Sequence, residues 1–501
     1  MAKLVVTITP PTPNGDLHIG HLSGPFMAAD VFTRVQRQRG HDCVFISYSD
    51  DYQSYMLRRG IELNRDPIEL AQSNTRKIRE SLASADVQVD HWLEAWENPY
   101  FEAAVREVFG AGVAAGAIEF KDSIEPYCPR CDKWGYEAFG RGDCNYCGTD
   151  SDASQCEHCG LEPVSREMVN FRCKLCGGQH EWKPVNRAFL KLDMFEDRLR
   201  ALYDRTPMRK PLREWALETA MPVLKDWGVT RPGDGGLDLL PDGSCRTHTW
   251  FMGLAGYMGA FREYAETVAH KPELFEEFWT SEDARLVNFL GFDCALSHCV
   301  VYPSLLMTMP HYRLKNSFYP NQFLTLNGLN LSTSRNHAIW IRDLVAQSCS
   351  DSARFYLACN APEESEGDFN LEKFQEWRRE IFIGFFEDLI EAAKQERGDW
   401  IVALKDDDAV ALGDLRERWL DATSLDRFSM RRMAQIVSDV IALAQSKLSS
   451  GRPVRHLAVL IAVLGGALHP KLSARICAAL GVDAEKAAQY LIHQKVEEYA
   501  L

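Results

Sequence analysis

The sequence predicts an α/β protein: a Rossmann-type core, split by a cysteine-rich insertion and followed by an α-helical bundle. Three observations carry this. The apolar run Leu4-Val5-Val6-Thr7-Ile8 breaks at prolines and then at Asn14-Gly15, which reads as a first strand, a tight loop and a helix opening near His18. Cys-x-x-Cys pairs cluster between residues 128 and 176. From Leu371 to Leu501 apolar residues recur at helical spacing, broken at Asp406-Asp407-Asp408 and at Ser449-Ser450-Gly451-Arg452-Pro453.

A chain of 501 residues exceeds the size at which one hydrophobic core keeps growing, so roughly two to four domains are expected. The hydrophobic fraction of 46% and charged fraction of 25% are those of a water-soluble globular protein. Met1-Ala2-Lys3 does not open a signal peptide, and the apolar run Leu457 to Leu468 is too short to span a bilayer. A cytoplasmic location is the expectation. The net charge of -15 argues against a generic nucleic-acid binder, because phosphate contacts need Lys and Arg. The 15 cysteines are too dilute for a secreted disulfide scaffold, and metal binding in a reducing compartment explains their pairing better.

The turn Pro11-Thr12-Pro13-Asn14-Gly15-Asp16-Leu17-His18-Ile19-Gly20-His21 suits ATP. A helix start offers free N–H groups to phosphates, Gly20 permits close approach, and His18 and His21 can both donate to phosphoryl oxygens. Two surface histidines on an ordinary helix are the alternative reading. The run His41 to Tyr52 reads as a second buried strand with an acidic tip, where Asp51 lies at the carboxyl end that binds ligands in a doubly wound sheet. An acid pair on a solvated loop is its alternative. Residues Pro67 to Ala115 carry the helical spacing of covering helices.

The pairs Cys128-Pro129-Arg130-Cys131, Cys144-Asn145-Tyr146-Cys147, Cys156-Glu157-His158-Cys159 and Cys173-Lys174-Leu175-Cys176 each place two thiolates on one tight turn. Two such turns complete a tetrahedral site for Zn²⁺. Iron–sulfur ligation and redox dithiols are the alternatives. Two structural zinc ions are expected, with every ligand position filled; the spacing leaves the pairing of the turns open.

The first turn resembles the His-Ile-Gly-His signature of class I aminoacyl-tRNA synthetases, and its flanks most resemble the methionyl-tRNA synthetase family. The resemblance recurs in order along most of the chain and thins in the last quarter. It implies a class I synthetase Rossmann-type catalytic core with an inserted zinc-knuckle domain: residues 1–120 and 187–305 as catalytic halves, 121–186 as the insertion, 306–368 as the stem-contact region and 369–501 as an anticodon-binding-like helical domain. By this likeness Cys144, Cys147, Cys156 and Cys159 share one zinc, and Cys128, Cys131, Cys173 and Cys176 the other. Asp51 matches the acid that pairs with the substrate's α-ammonium group. Arg231, in a segment resembling Trp-x-x-(Ser/Thr)-Arg, is expected to face the substrate. Thr249 to Tyr257 stands where the family has Val-Trp-Leu-Asp-Ala-Pro-Ile-Gly-Tyr, so that Trp250 and Tyr257 match amino-acid pocket residues, with core aromatics as the alternative. Phe289 to His298 resembles Phe-x-Gly-Lys-Asp…His, which sets Asp293 near the ribose and His298 near the amino-acid side chain, with Phe292 in place of the lysine. ATP, with Mg, is the implied co-substrate, held by Asn14, Gly20, Asp293, Asn330 and Thr333.

The departures shape the functional reading. Leu326 to Arg335 sits where the family has its Lys-Met-Ser-Lys-Ser loop, but Asn330 and Thr333 replace both lysines. One lost transition-state donor costs on the order of 100-fold in rate; Ser332, Ser334 and Arg335 retain phosphate-binding chemistry beside His18 and His21. In the pocket, Thr12 replaces an aromatic residue, Pro10 a leucine, Leu254 a proline and Cys294 an aliphatic residue. These changes point to a smaller or more polar amino acid than methionine. The Asn-x-Tyr and Pro-Trp residues that read an anticodon have no counterpart in Ala444-Gln445-Ser446-Lys447-Leu448 or Gly451-Arg452-Pro453, and basic residues such as Arg431, Arg432, Arg452 and Arg455 are scattered. The expectation is therefore amino-acid activation with transfer to a small-molecule or carrier acceptor, in preference to methionine tRNA. A genuine tRNA ligase and a non-catalytic sensor of an amino acid or nucleotide are the alternatives.

Overall fold

The computed structural model describes residues 1–240, 243–331, 337–397, 400–401 and 409–493. The strands that organise it are β1 (Lys3–Ile8), β2 (Asp42–Tyr48), β3 (His91–Leu93), β4 (Ile118–Cys128), β5 (Glu181–Lys191), β6 (Ala284–Gly291) and β7 (Lys315–Asn321). A five-stranded sheet runs β7-β6-β1-β2-β3 with every neighbouring pair parallel. Its central strand β1 is apolar on both faces and buried from Leu4 onward, as a sheet covered on both sides requires. The chain leaves β1 toward β2 on one side and places β6 on the other. The loops after β1 and β6 therefore diverge at a switch point, where such sheets bind ligands.

Helix α1 (Met27–Gln38) covers one face, and helix α2 (Thr249–Glu263), almost wholly buried, covers the other. Between the sheet halves, β4 and β5 form a long antiparallel ribbon from the pair Ile118↔Leu190 to the pair Tyr127↔Glu181. The ribbon is rooted in the core at Ile118, Ala188 and Leu190 and carries the cysteine turns at its far end. Insertion and core thus share the ribbon's first residues.

The helices α3 (Met430–Ser449), α4 (Arg455–Leu464) and α5 (Pro470–Leu480) form the heart of the bundle. One continuous apolar cluster joins them to the sheet: Phe32 of α1 meets Phe428 edge-on at 5.1 Å, and Phe289 of β6 stacks on Tyr319 of β7 at 5.0 Å. The buried Arg354 fastens the join, donating to Asp30 Oδ2 of α1 at 2.6 Å and to the carbonyls of Ala467 and Leu468 at 2.6 and 3.3 Å. Among the described residues no helix is long and apolar enough to cross a membrane.

Candidate active site and metal centres

His18 caps the short helix Ile19–His21 that opens after the proline-rich turn. Its Nδ1 accepts the Gly20 N–H at 3.1 Å, while its own backbone N–H donates to His21 Nδ1 at 3.2 Å. Both Nδ1 lone pairs are consumed, so in the neutral rings the proton belongs on Nε2. Burial keeps the rings neutral, lowering the pKa of His18 to about 2, helped by His21, and that of His21 to about 4. Two neutral imidazoles with centroids 3.9 Å apart thus each keep an Nε2–H donor beside the end of β1. Gly20 is required: a Cβ there would lie 2.8 Å from Leu331 Cδ1 and 2.9 Å from His18 Cε1.

The described flanks of the second signature close on the first. Leu331 touches Gly20. On the other side, His18 bridges to Trp340, the Ile19 N–H donates to the Ile339 carbonyl at 2.9 Å, and Arg342 donates to Asp16 Oδ2 at 2.6 Å. Asn330 is exposed on the short strand Leu329–Asn330, and Asn14 is exposed on the first turn. Ser332, Thr333, Ser334 and Arg335 lie outside the described residues.

At the floor of the cleft, the Tyr257 hydroxyl lies 3.1 Å from the carbonyl of Ile8, the last residue of β1, and 3.0 Å from His298 Nε2. His298 Nδ1 is held 3.1 Å from the Cys294 carbonyl, and burial lowers its pKa to about 4. Pro10, Leu254, Cys294, Tyr257 and His298 are buried here; Thr12 and Trp250 are half-buried. Asp51 Oδ2 accepts from Ser49 Oγ at 2.6 Å and from the Trp96 N–H at 3.2 Å, whereas its Oδ1 is buried without a partner. Burial raises its pKa. Asp293, on the turn after β6, is pushed up to about 6 by burial and then by Glu157.

Arg231 lies in a buried network. Its Nε is 2.6 Å from Glu137 Oε1 and its Nη2 is 2.9 Å from Glu162 Oε1, with His248 Nε2 2.8 Å from Glu137. Trp227 Nε1–H donates to Glu162 Oε2 at 2.7 Å. Sequence reasoning missed Glu137, Glu162 and His248, since only the fold brings them together. It also missed Tyr302, whose ring packs 4.6 Å from His298 and whose oxygen would lie 1.7 Å from a Cβ at Gly253.

The cysteines form two groups, Cys128, Cys131, Cys173, Cys176 and Cys144, Cys147, Cys156, Cys159, each with all four sulfurs within 4.8 Å of one another. Sulfur pairs lie 3.6 and 3.9 Å apart in the first group and 3.8 and 3.7 Å apart in the second. A tetrahedron with Zn–S bonds of about 2.3 Å has edges of about 3.8 Å, so both groups fit zinc. The second, fourth and third turns close on left-handed glycines, Gly148, Gly177 and Gly160; the first closes on Asp132, also at positive φ. No disulfide joins any of these residues. The group nearer the core is braced by Trp215, whose Nε1–H donates to the Cys159 carbonyl at 2.8 Å and whose ring meets Phe292 edge-on at 6.1 Å.

Residues 4–390 match the family model of tRNA synthetases class I (M). A methionine–tRNA ligase of Methanopyrus kandleri is 29% identical over 388 residues, covering 75% of this chain and 57% of that protein. One from Salinibacter ruber is 30% identical over 393 residues, covering 75% of this chain and 54% of its own length. The chain thus spans little more than half of either relative. The crystal structure of Mycobacterium tuberculosis methionyl-tRNA synthetase bound by methionyl-adenylate superposes with a TM-score of 0.73, covering 98% of this chain and 96% of that one at 16% identity, a likeness of fold.

Proposed function

The chain belongs to the family of tRNA synthetases class I (M), and on that premise we propose that it activates an amino acid with ATP as an aminoacyl-adenylate. The observation that carries this reading is the pair of neutral imidazoles at the end of β1, each with Nδ1 satisfied by a backbone N–H and Nε2–H left to donate. In the reaction the substrate carboxylate attacks the α-phosphorus of ATP and pyrophosphate leaves. His18 and His21 donate to phosphoryl oxygens as charge builds on them, and Asp51 Oδ1 receives the α-ammonium group. Positioning dominates such a site. The zinc ions hold the insertion and take no part in the chemistry, since four sulfurs fill each site. The free thiols suit a reducing cytoplasmic setting.

The amino acid is smaller or more polar than methionine: Thr12 sets a hydroxyl, and Cys294 a thiol, where the family has an aromatic and an aliphatic side chain. The acceptor is a molecule other than methionine tRNA. In the bundle, Arg432 pairs with Asp421 and Arg455 donates to the Leu480 carbonyl, so neither is a spare phosphate contact. A second reading, ligation of methionine to tRNA, is favoured by what the relatives are called. ATP–pyrophosphate exchange across the amino acids tests activation, with strong exchange expected for a small polar amino acid and loss in His18→Ala and His21→Ala. Exchange with methionine alone, followed by rapid charging of total tRNA, would return the protein to translation.

A further inference from the structure

Beside the activation cleft, between the β4–β5 ribbon and the nearer cysteine group, lies a cavity of about 340 Å³. That volume is in the range of small-molecule sites, roughly 300–1,000 Å³. Its buried lining includes Trp227, Arg231 and Leu296, which we take as its inner end. Leu296 begins the turn that carries His298 and follows Asp293 by three positions, so one lining residue of the cavity lies on the turn that carries two activation-site residues.

The charges lining the interior neutralise one another. Arg187 Nε is 2.6 Å from Glu125 Oε1, and Arg231 is paired with Glu162. Gly228 makes room for the first pair, since a Cβ there would lie 2.2 Å from Arg187 Nη1. Between the pairs the lining is apolar, with Leu161 and Val223. Glu167 and Asp226, the latter paired with Lys121, also line the cavity, and so do two other cations, the exposed Arg166 and Lys225. Among the described residues neither is paired with a carboxylate, although Lys225 sits 5.1 Å from the Tyr146 ring. A ligand that matches this arrangement has an apolar middle, one anionic end and an uncharged inner end.

We propose that this cavity holds the acyl acceptor, a small amine that also carries a carboxylate and is about the size of an amino acid. The proposal rests on the activation reading above. The carboxylate lies at Arg166 and Lys225, and the amine points toward Leu296. The unprotonated nitrogen attacks the adenylate carbonyl and a C–N bond forms. The bond from the carbonyl carbon to the phosphate oxygen breaks, AMP leaves with that electron pair, and the nitrogen's proton passes to water. The product is an amide.

The probe is 6-aminohexanoate, with hexylamine as the control that lacks the carboxylate. With the full chain, ATP and the amino acid that supports exchange, acyl transfer to 6-aminohexanoate should saturate, while transfer to hexylamine should rise linearly. The double variant Arg166→Ala, Lys225→Ala should raise the KM for 6-aminohexanoate by about tenfold. Val223→Trp, which fills the cavity, should abolish saturable transfer, and both variants should keep wild-type ATP–pyrophosphate exchange. Calorimetric binding of 6-aminohexanoate without ATP, lost in Val223→Trp, tests the cavity even if no amino acid is activated. Equal, unsaturable transfer to both amines, or binding indifferent to Val223→Trp, overturns the proposal. Acylation of total tRNA that is blocked by Val223→Trp overturns it too, and gives the cavity to an RNA end.

Discussion

Arg231 and Arg354 are both buried guanidinium groups that fasten a second module to the same parallel sheet, yet they do so with different partners. Arg354 spends its donors mainly on backbone: the carbonyls of Ala467 and Leu468 in the bundle and of Ala85 and Asp86 in the core, with Asp30 as its one carboxylate. Arg231 faces two carboxylates of the insertion, Glu137 and Glu162, with His248 completing the cluster. Carbonyls do not titrate, so the bundle is held by geometry. Carboxylates do, so the insertion is held by charge. A planar fork with five donors serves the first task, and an ammonium cannot replace it.

Breaking the carbonyl clamp should have the largest effect. Arg354→Leu leaves the buried Asp30 with Arg34 as its remaining cation and strands the carbonyls of Ala85, Asp86, Ala467 and Leu468, and should cost about 3–5 kcal/mol in urea unfolding; Arg354→Lys should recover little of that. An Arg354→Lys variant as stable as wild type would mean that charge, and not the planar fork, holds the bundle. Arg231→Met should cost somewhat less, about 3 kcal/mol, because loss of the positive charge lets His248 take a proton. Its signature is local: limited proteolysis should cut within 118–191 while the bundle stays intact.

The cysteine groups sharpen the comparison. Cys156→Ser removes a ligand from the group braced by Trp215 and should lower bound zinc from two equivalents to one and exchange activity by about tenfold. Cys131→Ser, in the outer group, should lose one zinc as well but keep exchange within about twofold. Equal losses from both variants would show that the insertion acts as one rigid piece. The smallest effect is in pH. Burial works to raise the Glu137 pKa, but Arg231 and then His248 outweigh it and hold it at about 2. A folded-state value below the unfolded one means that this docking is fully present above pH 4.5 and is lost as pH falls toward 2. Hydrogen exchange in the insertion should rise across that window, and Glu137→Gln should flatten the response.

The first turn was legible because local chemistry dictates it: prolines end β1, and a histidine caps the helix that follows. The cysteine turns were legible for the same reason, each Cys-x-x-Cys ending in a residue at positive φ. Their pairing was not, because it depends on the ribbon register Tyr127↔Glu181, which brings Cys128 back to Cys176. Likeness to a family supplied what spacing could not. Neither spacing nor likeness foretold the partners of Arg231: Glu137 and Glu162 lie 94 and 69 positions away in the chain, and their pairing with Arg231 exists only once the insertion has docked. The helical spacing after Leu371 foretold the bundle but not the wide turn at Arg378–Phe385, whose period differs from that of an α-helix.

Gly253 stands where the family motif has alanine, and the oxygen of Tyr302 occupies the space that an alanine methyl would need. The two positions are therefore sterically coupled. An alanine at position 253 would collide with Tyr302, and a smaller residue at position 302 alone would open a void beside α2. Each single change, an alanine at position 253 or a smaller residue at position 302, should therefore destabilise more than the two together, which makes the pair a coupled lock on the packing beneath α2.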